Sequence, residues 1–580
     1  GEPGAFFRAD KNNFGPTFSV AYSPSFGNNF LGRLFPGEGR TVIRGGYRTS
    51  YNNNEYVRSP DNANLNHVGL GGTTVNVTSN IGGTETTFLR SILTPRPEAP
   101  GFQALPANFA TPSLPTLPRS FAANNTAAFG RFGSVFVVDP ELQLPLVHEY
   151  NVGIQREIGW QTAFELRYVG SRSNELVRSI DFNQINIRDN GFVADFVRAQ
   201  QNLAANRAAN PNSNVFLTGP NTLTVLNRLT TASGSIVTSL ENGTPADLAL
   251  TAITGGTTGG IAFLANPNTG VANSLENGGL FRYNSLQAEV RRRFVNGFSF
   301  QVNYTFQKIL ADTTTDSQTN VDPYLDLVNQ RLNYARPDYD RAHTVNANMN
   351  LELPFGRGRR FFNEGALNHI LGGFQFTSIV NISSGQPVSI RDARGTLNRA
   401  ARAGLQPASS SLTTSEIKDL IGIFRTPNGI YFIDPSVLQA TAVNTSGQRV
   451  GIDLTQALPS GFTGLQVRAT APINPANPTS PTPFAGQVFF RNTPGSTGTL
   501  PINFINGPVF FNWNAGLFRN FRFSETMNLQ FRAEVFNVLN RTNFNIGEGS
   551  GIFDVNSTTF GRITGTFDPR IVQFGVRFDF

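Results

Sequence analysis

The C-terminal segment, residues 570–580, alternates between apolar and polar side chains with the period of a β-strand. Its apolar positions are Val572, Phe574, Val576, Phe578 and Phe580. Alternation with period two gives a strand one apolar face and one polar face. Such a strand belongs either to a soluble sandwich, where the apolar face packs on a second sheet, or to a membrane barrel, where that face contacts lipid.

The same alternation recurs along the chain and predicts about eleven strands. The clearest hairpin joins an alternating strand at 286–291 to another at 298–306 through Asn296 and Gly297, a dipeptide favoured in two-residue turns. The other alternating segments lie at 18–22, 41–51, 150–155, 164–168, 345–353, 374–380, 511–517, 527–535 and 572–580. Repeated alternation of this kind indicates an all-β protein.

Composition favours a barrel over a large dry core. The chain has 580 residues, of which only 39% are hydrophobic. A wide barrel needs only a single layer of apolar side chains on its outer face, so a low hydrophobic fraction is compatible with it. The 51 phenylalanines argue against a disordered chain. No apolar run approaches the roughly 18 residues of a membrane helix, so any membrane crossing must be made by strands.

Cysteine content and charge exclude several function classes. The absence of cysteine excludes disulfides, cysteine-bound zinc and thiol catalysis. The net charge is +7, but the basic residues are scattered rather than arranged as a stripe with interleaved aromatics, so we expect no nucleic-acid partner. The sequence begins at Gly1 without a visible secretory signal, and we expect a processed or cut N-terminus.

The connections between the predicted strands alternate between short and long. Tight turns are expected near 157–160, 295–297 and 523–525. Long polar loops are expected near 53–142, 172–280 and 385–506, the second with a short helix at 192–203 packed on its own loop. Outer-membrane barrels have short periplasmic turns and long extracellular loops. The sequence therefore predicts an antiparallel transmembrane β-barrel with long extracellular loops.

The direction of the strands bears on how such a barrel closes. With about eleven alternating strands, the first and the last both run toward the short turns, whereas single-chain bacterial barrels contain even numbers of antiparallel strands. We therefore expect an odd number of further strands before Gly1. The two strand edges would otherwise demand pairing with another chain.

Short motifs between the loops resemble the barrel of TonB-dependent outer-membrane receptors, specifically the Oar-like branch. They lie at 43–47, 151–156, 283–287, 292–294, 303–306, 340–341, 353–356, 384–387 and 529–537. The resemblance implies a barrel of roughly 22 strands, of which residues 1–580 supply about half. It also implies uptake of a scarce nutrient, such as a carbohydrate or a peptide-like compound, with energy transmitted by TonB.

The resemblance carries further expectations about partners and missing parts. The family places a plug domain and a TonB box ahead of the barrel, and we expect them to be absent from this chain, so TonB would act through a missing N-terminal region. The terminal aromatics Phe574, Phe578 and Phe580 are implied to be the signal that the barrel-assembly machinery recognises. A second hypothesis is a structural or interaction component of the cell surface or of an extracellular assembly, with no transport by this chain.

No residue pattern predicts an enzyme or a bound cofactor. The four histidines, His67, His148, His343 and His369, are far apart in sequence, and neither a phosphate-binding loop nor a nucleophile elbow is present. An acidic group could gather around Ca²⁺, although its spacing fits no EF-hand and a solvated loop is the alternative. Its members are Asp312, Asp316, Asp322 and Asp326.

Two arginine clusters flank the predicted short turns. They are 291–293, and Arg357 with Arg359 and Arg360. At the periplasmic side of an outer membrane, guanidinium groups there could contact anionic lipid headgroups, and a purely solubilising role is the alternative. The sequence thus predicts outer-membrane lipid as a partner, without assigning a substrate site.

Overall fold

A computed structural model describes residues 8, 10–26, 30, 32, 39–51, 135–312, 324–399, 406–426, 429–437, 439–443, 449–452, 463–468, 488–524, 526–547, 551–557 and 559–580. The strands are, in chain order, β1 (Thr17–Tyr22), β2 (Thr41–Tyr51), β3 (Val135–Val138), β4 (Leu146–Gly159), β5 (Thr162–Asp181), β6 (Ala272–Val295), β7 (Phe298–Ala311), β8 (His343–Glu352), β9 (Phe374–Ser383), β10 (Pro387–Val388), β11 (Ser409–Ser410), β12 (Ile421–Thr426), β13 (Gly429–Ile433), β14 (Gln439–Val443), β15 (Arg449–Ile452), β16 (Thr463–Arg468), β17 (Phe489–Phe490), β18 (Ile505–Asn506), β19 (Phe510–Arg522), β20 (Asn528–Phe536), β21 (Phe544–Asn545), β22 (Arg562–Ile563), β23 (Gly565–Thr566) and β24 (Ile571–Asp579). The helices are α1 (Phe192–Ala209), α2 (Ser233–Asn242), α3 (Pro245–Gly255), α4 (Ala366–Leu371) and α5 (Thr414–Asp419).

One large sheet dominates the described part of the chain. Eleven strands follow a single path in the order β1-β2-β4-β5-β6-β7-β8-β9-β19-β20-β24, and β3 pairs with β6 beside that path. Every neighbouring pair along the path is antiparallel. The predicted number of strands is confirmed. Because that number is odd, β1 and β24 run in the same direction, and the sheet is open at both of these edges.

The connections of this sheet differ between its two ends. At the short-turn end, β6 and β7 are joined by Asn296 and Gly297, whose φ angles of 54° and 77° are those of a two-residue turn that follows the twist of the strands. The turns at residues 160–161 and 523–527 are also short, whereas the other two connections at this end, residues 23–40 and 353–373, are longer. At the long-loop end, the connections are tens of residues long. This asymmetry confirms the predicted alternation of short and long connections.

The loop predicted at 172–280 is shorter than expected. Strand β5 continues to Asp181, and β6 begins at Ala272, so the two strands remain paired well beyond the position where the alternation of their side chains ends. A membrane strand needs only about 9–11 residues. The outer parts of β5 and β6 therefore extend the hairpin past the length that a membrane strand needs, and there the pattern of one apolar face is lost.

The connection between β5 and β6 folds into a compact helical unit, residues 182–271. Phe192, Phe196, Ala199 and Leu203 of α1 are buried against α2 and α3, which confirms the predicted helix and its apolar stripe. The helix is longer than predicted and ends at Ala209. In the described part of the chain, no helix is both long enough and apolar enough to span a membrane.

The described residues of the connections after β9 and β20, which span 384–509 and 537–570, fold together into a β unit. Its apolar core contains Tyr431, Phe489, Phe553 and Phe560. Strand β13 pairs with β22, so the two connections share one small sheet. The long loop predicted at 385–506 is therefore a folded structure rather than a bland polar segment, because widely separated short apolar stretches meet only in the tertiary structure. Of the loop predicted at 53–142, residues 53–134 lie outside the described residues.

Candidate functional site

The large sheet has one polar face, which we call the polar wall. Asn303, Asn346, Asn381 and Asn512 are direct register partners across the four consecutive strands β7, β8, β9 and β19. The row continues on the other side through Glu289 of β6 to β5 and β4. Residues on one face of a strand recur every second position, so the polar half of the alternation produces this wall directly. The row presents amide and carboxylate groups at one level of the sheet.

The polar wall is connected by hydrogen bonds between side chains of neighbouring strands. Arg48 donates to both carboxylate oxygens of Glu149, with N–O distances of 2.5 and 3.0 Å. Arg167 donates to Gln287 at 2.7 Å. At the other edge of the sheet, Gln573 donates to Glu534 at 2.6 Å. These bonds hold the polar side chains in fixed conformations, and the hydrogen bonds compensate for the conformational entropy that the side chains lose.

Two carboxylates lie directly opposite each other in the middle of the wall. Glu165 of β5 and Glu289 of β6 are register partners, and like charges in that position repel. Arg167 lies 3.6 Å from Glu165, and Arg291 lies 3.7 Å from Glu289, so each carboxylate has its own guanidinium. The wall therefore alternates in charge rather than presenting a single sign.

The opposite face of the sheet is apolar and exposed. Phe574 and Val576 of β24 are 72% and 70% exposed, and Val152 of β4 is 53% exposed. Large apolar side chains exposed in a continuous band are typical of a surface that contacts lipid or another protein. Trp160 at a short turn and Phe580 at the chain end are 89% and 93% exposed, as expected for aromatics at a membrane interface.

The helical unit is organised around a buried carboxylate. Asp195 of α1 accepts hydrogen bonds from the backbone N–H groups of Thr224, Val225 and Leu226, and it also pairs with Arg198. Burial opposes ionisation of Asp195, but the hydrogen bonds outweigh burial and lower its pKa. The charged side chain thereby holds the segment after α1 against the helix.

The β unit contains a comparable ion pair. Asp392 is fully buried, and Arg394 contacts both of its oxygens at 2.9 and 2.6 Å. The backbone N–H of Asn492 and the amide of Asn556 each donate to the same carboxylate at 2.7 Å. Burial opposes ionisation, but the charge and hydrogen bonds of Arg394 outweigh it and lower the pKa of Asp392. Three segments of the β unit, at residues 392–394, 492 and 556, thus meet at one carboxylate.

The two units contact each other through residues 394–399. Arg394 donates to the backbone oxygen of Asn242 in α2 at 2.5 Å, and the N–H of Ala246 in α3 donates to Gly395 at 2.9 Å. Arg399 forms an ion pair with Asp247 of α3. These contacts join the helical unit and the β unit into one cap at the long-loop end.

Two arginines form ion pairs with the connection that follows β7. Arg178 of β5 lies 3.2 Å from Asp312, which follows β7, and its guanidinium stacks on the Tyr324 ring at 3.6 Å. Arg188 donates to both oxygens of Asp326 at 3.0 and 2.8 Å. Sequence analysis missed these arginines, because each lies more than a hundred residues from its partner. The first pair joins β5 to the start of this connection, and the second joins the helical unit to it.

The calcium prediction is not tested. Asp312 and Asp326 each pair with an arginine, as described above, and Asp316 and Asp322 lie outside the described residues. No group of three or more histidine, aspartate or glutamate side chains in the described ranges is placed to hold a metal ion. The calcium site stays a prediction.

The remaining predicted residues are placed as follows. Phe574, Phe578 and Phe580 form an exposed aromatic row along β24, and the rings of Phe578 and Phe580 stack with centroids 5.9 Å apart. His148 accepts or donates a 2.8 Å hydrogen bond with Tyr47, and His343 forms one of 2.9 Å with Tyr304. The two histidines are therefore used in separate aromatic contacts. Whether the aromatic row is an assembly signal stays a prediction.

Known proteins supply a family comparison. A family model described as an outer membrane beta barrel domain matches residues 1–573. The search of curated proteins gives no match. Among solved structures, the chain is similar to the outer membrane transporter YddB from Escherichia coli, with 8% identity, a TM-score of 0.33 and coverage of 93% of this chain and 38% of that chain.

Two receptors from Pseudomonas aeruginosa are also similar in structure. The ferric enterobactin receptor PfeA in complex with BCV-L6 has 8% identity and a TM-score of 0.34, with coverage of 97% of this chain and 40% of the receptor. The ferripyoverdine receptor bound to ferripyoverdine has 8% identity and a TM-score of 0.30, with coverage of 98% and 33%. The chain therefore spans 33–40% of the length of these solved chains.

Proposed function

This chain belongs to the outer membrane β-barrel domain family, and from that premise we propose that it forms part of a TonB-dependent uptake receptor. The protein is an antiparallel β-barrel domain of the outer membrane. In the proposal, the exposed apolar face contacts lipid, the polar wall lines the lumen, and the cap covers the extracellular opening. We assign it to the Oar-like branch on the motifs quoted above.

The observation that carries this proposal is the row of hydrophilic side chains that crosses the sheet from β4 to β19. A lumen wall must present polar groups at every level and on every strand, whereas a soluble sandwich would bury apolar groups on its inner face. Asparagine and glutamine offer both hydrogen-bond donors and acceptors without charge. This chemistry suits a carbohydrate or a peptide-like nutrient, which we propose as the substrate class.

Growth of the native host tests the transport role. A carbohydrate or a peptide is supplied at low concentration as the sole carbon source. Deleting the gene, or separately deleting TonB, should abolish growth on the same nutrient. In the deletion strain, a gene copy that carries Asn303→Ala and Asn346→Ala should restore less uptake than a copy that carries Val302→Ala and Val345→Ala on the lipid face. Undiminished uptake of every tested nutrient in the deletion strain contradicts the transport proposal.

The absence of cysteine permits a direct test of orientation. We expect Asn212→Cys in the helical unit to react with a membrane-impermeant maleimide on intact cells, because this exposed residue lies in the extracellular cap. Ser524→Cys at a short turn should react only after the cells are broken. The unmodified chain is the matched control, since it carries no thiol. Labelling of Ser524→Cys alone on intact cells would invert the proposed topology.

We also propose that further strands complete the barrel between β24 and β1. The two edges run in the same direction, so antiparallel closure requires an odd number of additional strands, for a total that is even. A bifunctional maleimide should therefore fail to join Ser19→Cys in β1 to Gln573→Cys in β24 within the assembled receptor. Efficient joining would show that eleven strands close by themselves.

The open edges also support a second candidate function, a surface component that pairs with another chain. β1 and β24 are exposed along nearly their whole length, and unpaired strand edges are strong templates for association. Electron microscopy of outer membranes extracted in mild detergent distinguishes the candidates. Isolated receptor particles support the transporter, whereas this chain within larger assemblies supports the surface component.

The terminal aromatic row is proposed as the signal for the barrel-assembly machinery. Deleting Phe580 should lower the amount of barrel inserted into the membrane, while barrels already inserted keep their resistance to denaturant. The Val576→Leu variant is the control for a change in the same strand. Normal insertion without Phe580 contradicts this role.

A further inference from the structure

A pocket of about 300 Å³ lies on the polar wall at its short-turn end. It spans β2, β4, β5 and β6, so it lies well inside the described sheet and is not created by the open edges. Among the described residues, its lining includes Arg40, Arg44, Arg291 and Arg293, with Glu157 as the one carboxylate. The pocket therefore carries an excess of positive charge.

The register of the strands explains why these arginines converge. The N–H of Glu157 donates to the backbone oxygen of Arg40, Glu157 pairs with Ala163, and Ala163 pairs with Arg291, so these lining residues occupy one level across four neighbouring strands. The N–H of Arg293 donates to the backbone oxygen of Gln161 at 3.3 Å, which fixes the end of β6 against the turn. A cluster made from four strands is held by the sheet itself rather than by a mobile loop.

Two arginines of the pocket, Arg44 and Arg293, form no ion pair among the residues that the structure describes. The Arg291 guanidinium pairs with Glu289 at 3.7 Å, which is beyond hydrogen-bond distance. The Arg291 side chain remains 52% exposed. Guanidinium groups are planar donors that match the oxygens of phosphate and carboxylate groups. A concave site with several of them has the chemistry of an anion site.

We propose that this arginine pocket binds a soluble polyvalent anion that carries phosphate or carboxylate groups at the periplasmic end of the lumen. Lipid headgroups do not reach it, because the pocket lies on the face opposite to the exposed apolar band. The proposal goes beyond the transport role and does not depend on it. Anion binding needs neither TonB nor an intact membrane.

Calorimetric titration of the full chain, refolded in uncharged detergent at low salt, tests the proposal. The two probes are inorganic pyrophosphate and citrate, and the tighter one identifies phosphate or carboxylate as the preferred group. We expect Arg291→Gln to weaken binding about tenfold, as loss of one charge-assisted hydrogen bond does. Arg532→Gln is the matched control, since it removes a charge from the same face on the distant strand β20, and it should leave affinity unchanged.

Glu157→Gln separates binding from folding. Removing the carboxylate that the described lining contains should strengthen binding of the same probe, and a misfolded chain cannot produce that gain. Raising the salt concentration should weaken binding in all variants through screening. The proposal is overturned if neither probe binds the unmodified chain, or if Arg291→Gln, Glu157→Gln and Arg532→Gln all bind with equal affinity.

Discussion

The large sheet and the cap bury their side chains in opposite ways. In the cap, Phe196 and Tyr431 are fully buried, and charged residues such as Asp392 are buried only with partners. In the sheet, Phe574 and Val576 are more than two-thirds exposed, while polar side chains bond to each other on the other face. The cap thus has a buried apolar core and a surface that suits water, whereas the sheet has an exposed apolar face that suits lipid.

The difference teaches where precise packing matters. Protein interiors are close-packed, so a change of one methyl group or one ring is felt there. Lipid chains adapt to the shape of a side chain, so the apolar face of the sheet is constrained in polarity but much less in volume. The same substitution should therefore have different consequences in the two regions.

The largest expected effect is loss of a ring from the cap. Phe196→Ala removes a fully buried side chain from α1 and should lower the free energy of opening the helical unit by about 3–5 kcal/mol. Hydrogen exchange of the α1 backbone amides measures that free energy. Phe574→Ala on β24 is the matched control, and its effect should be clearly smaller because the ring contacts lipid. Equal losses at the two positions would remove the distinction between cap and sheet.

A charge on the lipid face should have the next largest effect. Val576→Arg is expected to cost about 2–4 kcal/mol if the residue lies near the bilayer midplane, because a guanidinium is poorly solvated in hydrocarbon. Gln573→Arg on the polar wall should cost far less. Denaturant unfolding of the chain in phospholipid vesicles gives both values. A larger cost at Gln573 than at Val576 would exchange the two faces.

Larger side chains should also have different effects in the cap and on the lipid face, and we expect these effects to be smaller than those above. Ala249 of α3 is fully buried, so Ala249→Leu should destabilise the helical unit by about 1–3 kcal/mol through overpacking. Val576→Phe adds volume on the lipid face and should be nearly neutral. Hydrogen exchange for the first variant and vesicle unfolding for the second provide the measurements. A destabilisation by Val576→Phe as large as that of Ala249→Leu would indicate a close-packed protein partner on that face.

Acid should affect the β unit of the cap through Asp392, and we expect this to be the smallest effect. The pKa of Asp392 is lowered in the folded state, so its contribution to stability is fully present above the unfolded pKa of about 3.9 and is lost as pH falls through the folded value. Pepsin should therefore cut the β unit increasingly as pH falls below about 4. Asp392→Asn should flatten this pH dependence, and an unchanged profile would assign the acid sensitivity to other groups.

Alternation along the chain was enough to predict the sheet. Each strand of the large sheet carries its own pattern, and the pattern depends only on period two and on the difference between lipid and water. Alternation therefore predicts the number of strands, the position of the turns and the direction of β1 and β24. The helix α1 follows from a different pattern, apolar residues at helical spacing. The predicted loop ends near 172 and 280 were wrong, because the outer hairpin of β5 and β6 extends past the length that a membrane strand needs and loses the one-sided pattern.

The cap and the arginine pocket were decided only by the tertiary structure. The core of the β unit combines stretches from Val388 to Ile563, none of them long enough to show a period, and Arg178 meets Asp312 across 134 residues of sequence. The pocket needs the register of four strands to bring Arg40 to the level of Arg291. A sequence determines which face each residue of a strand occupies, but which residues of distant strands share a level is set by pairing that no local pattern contains.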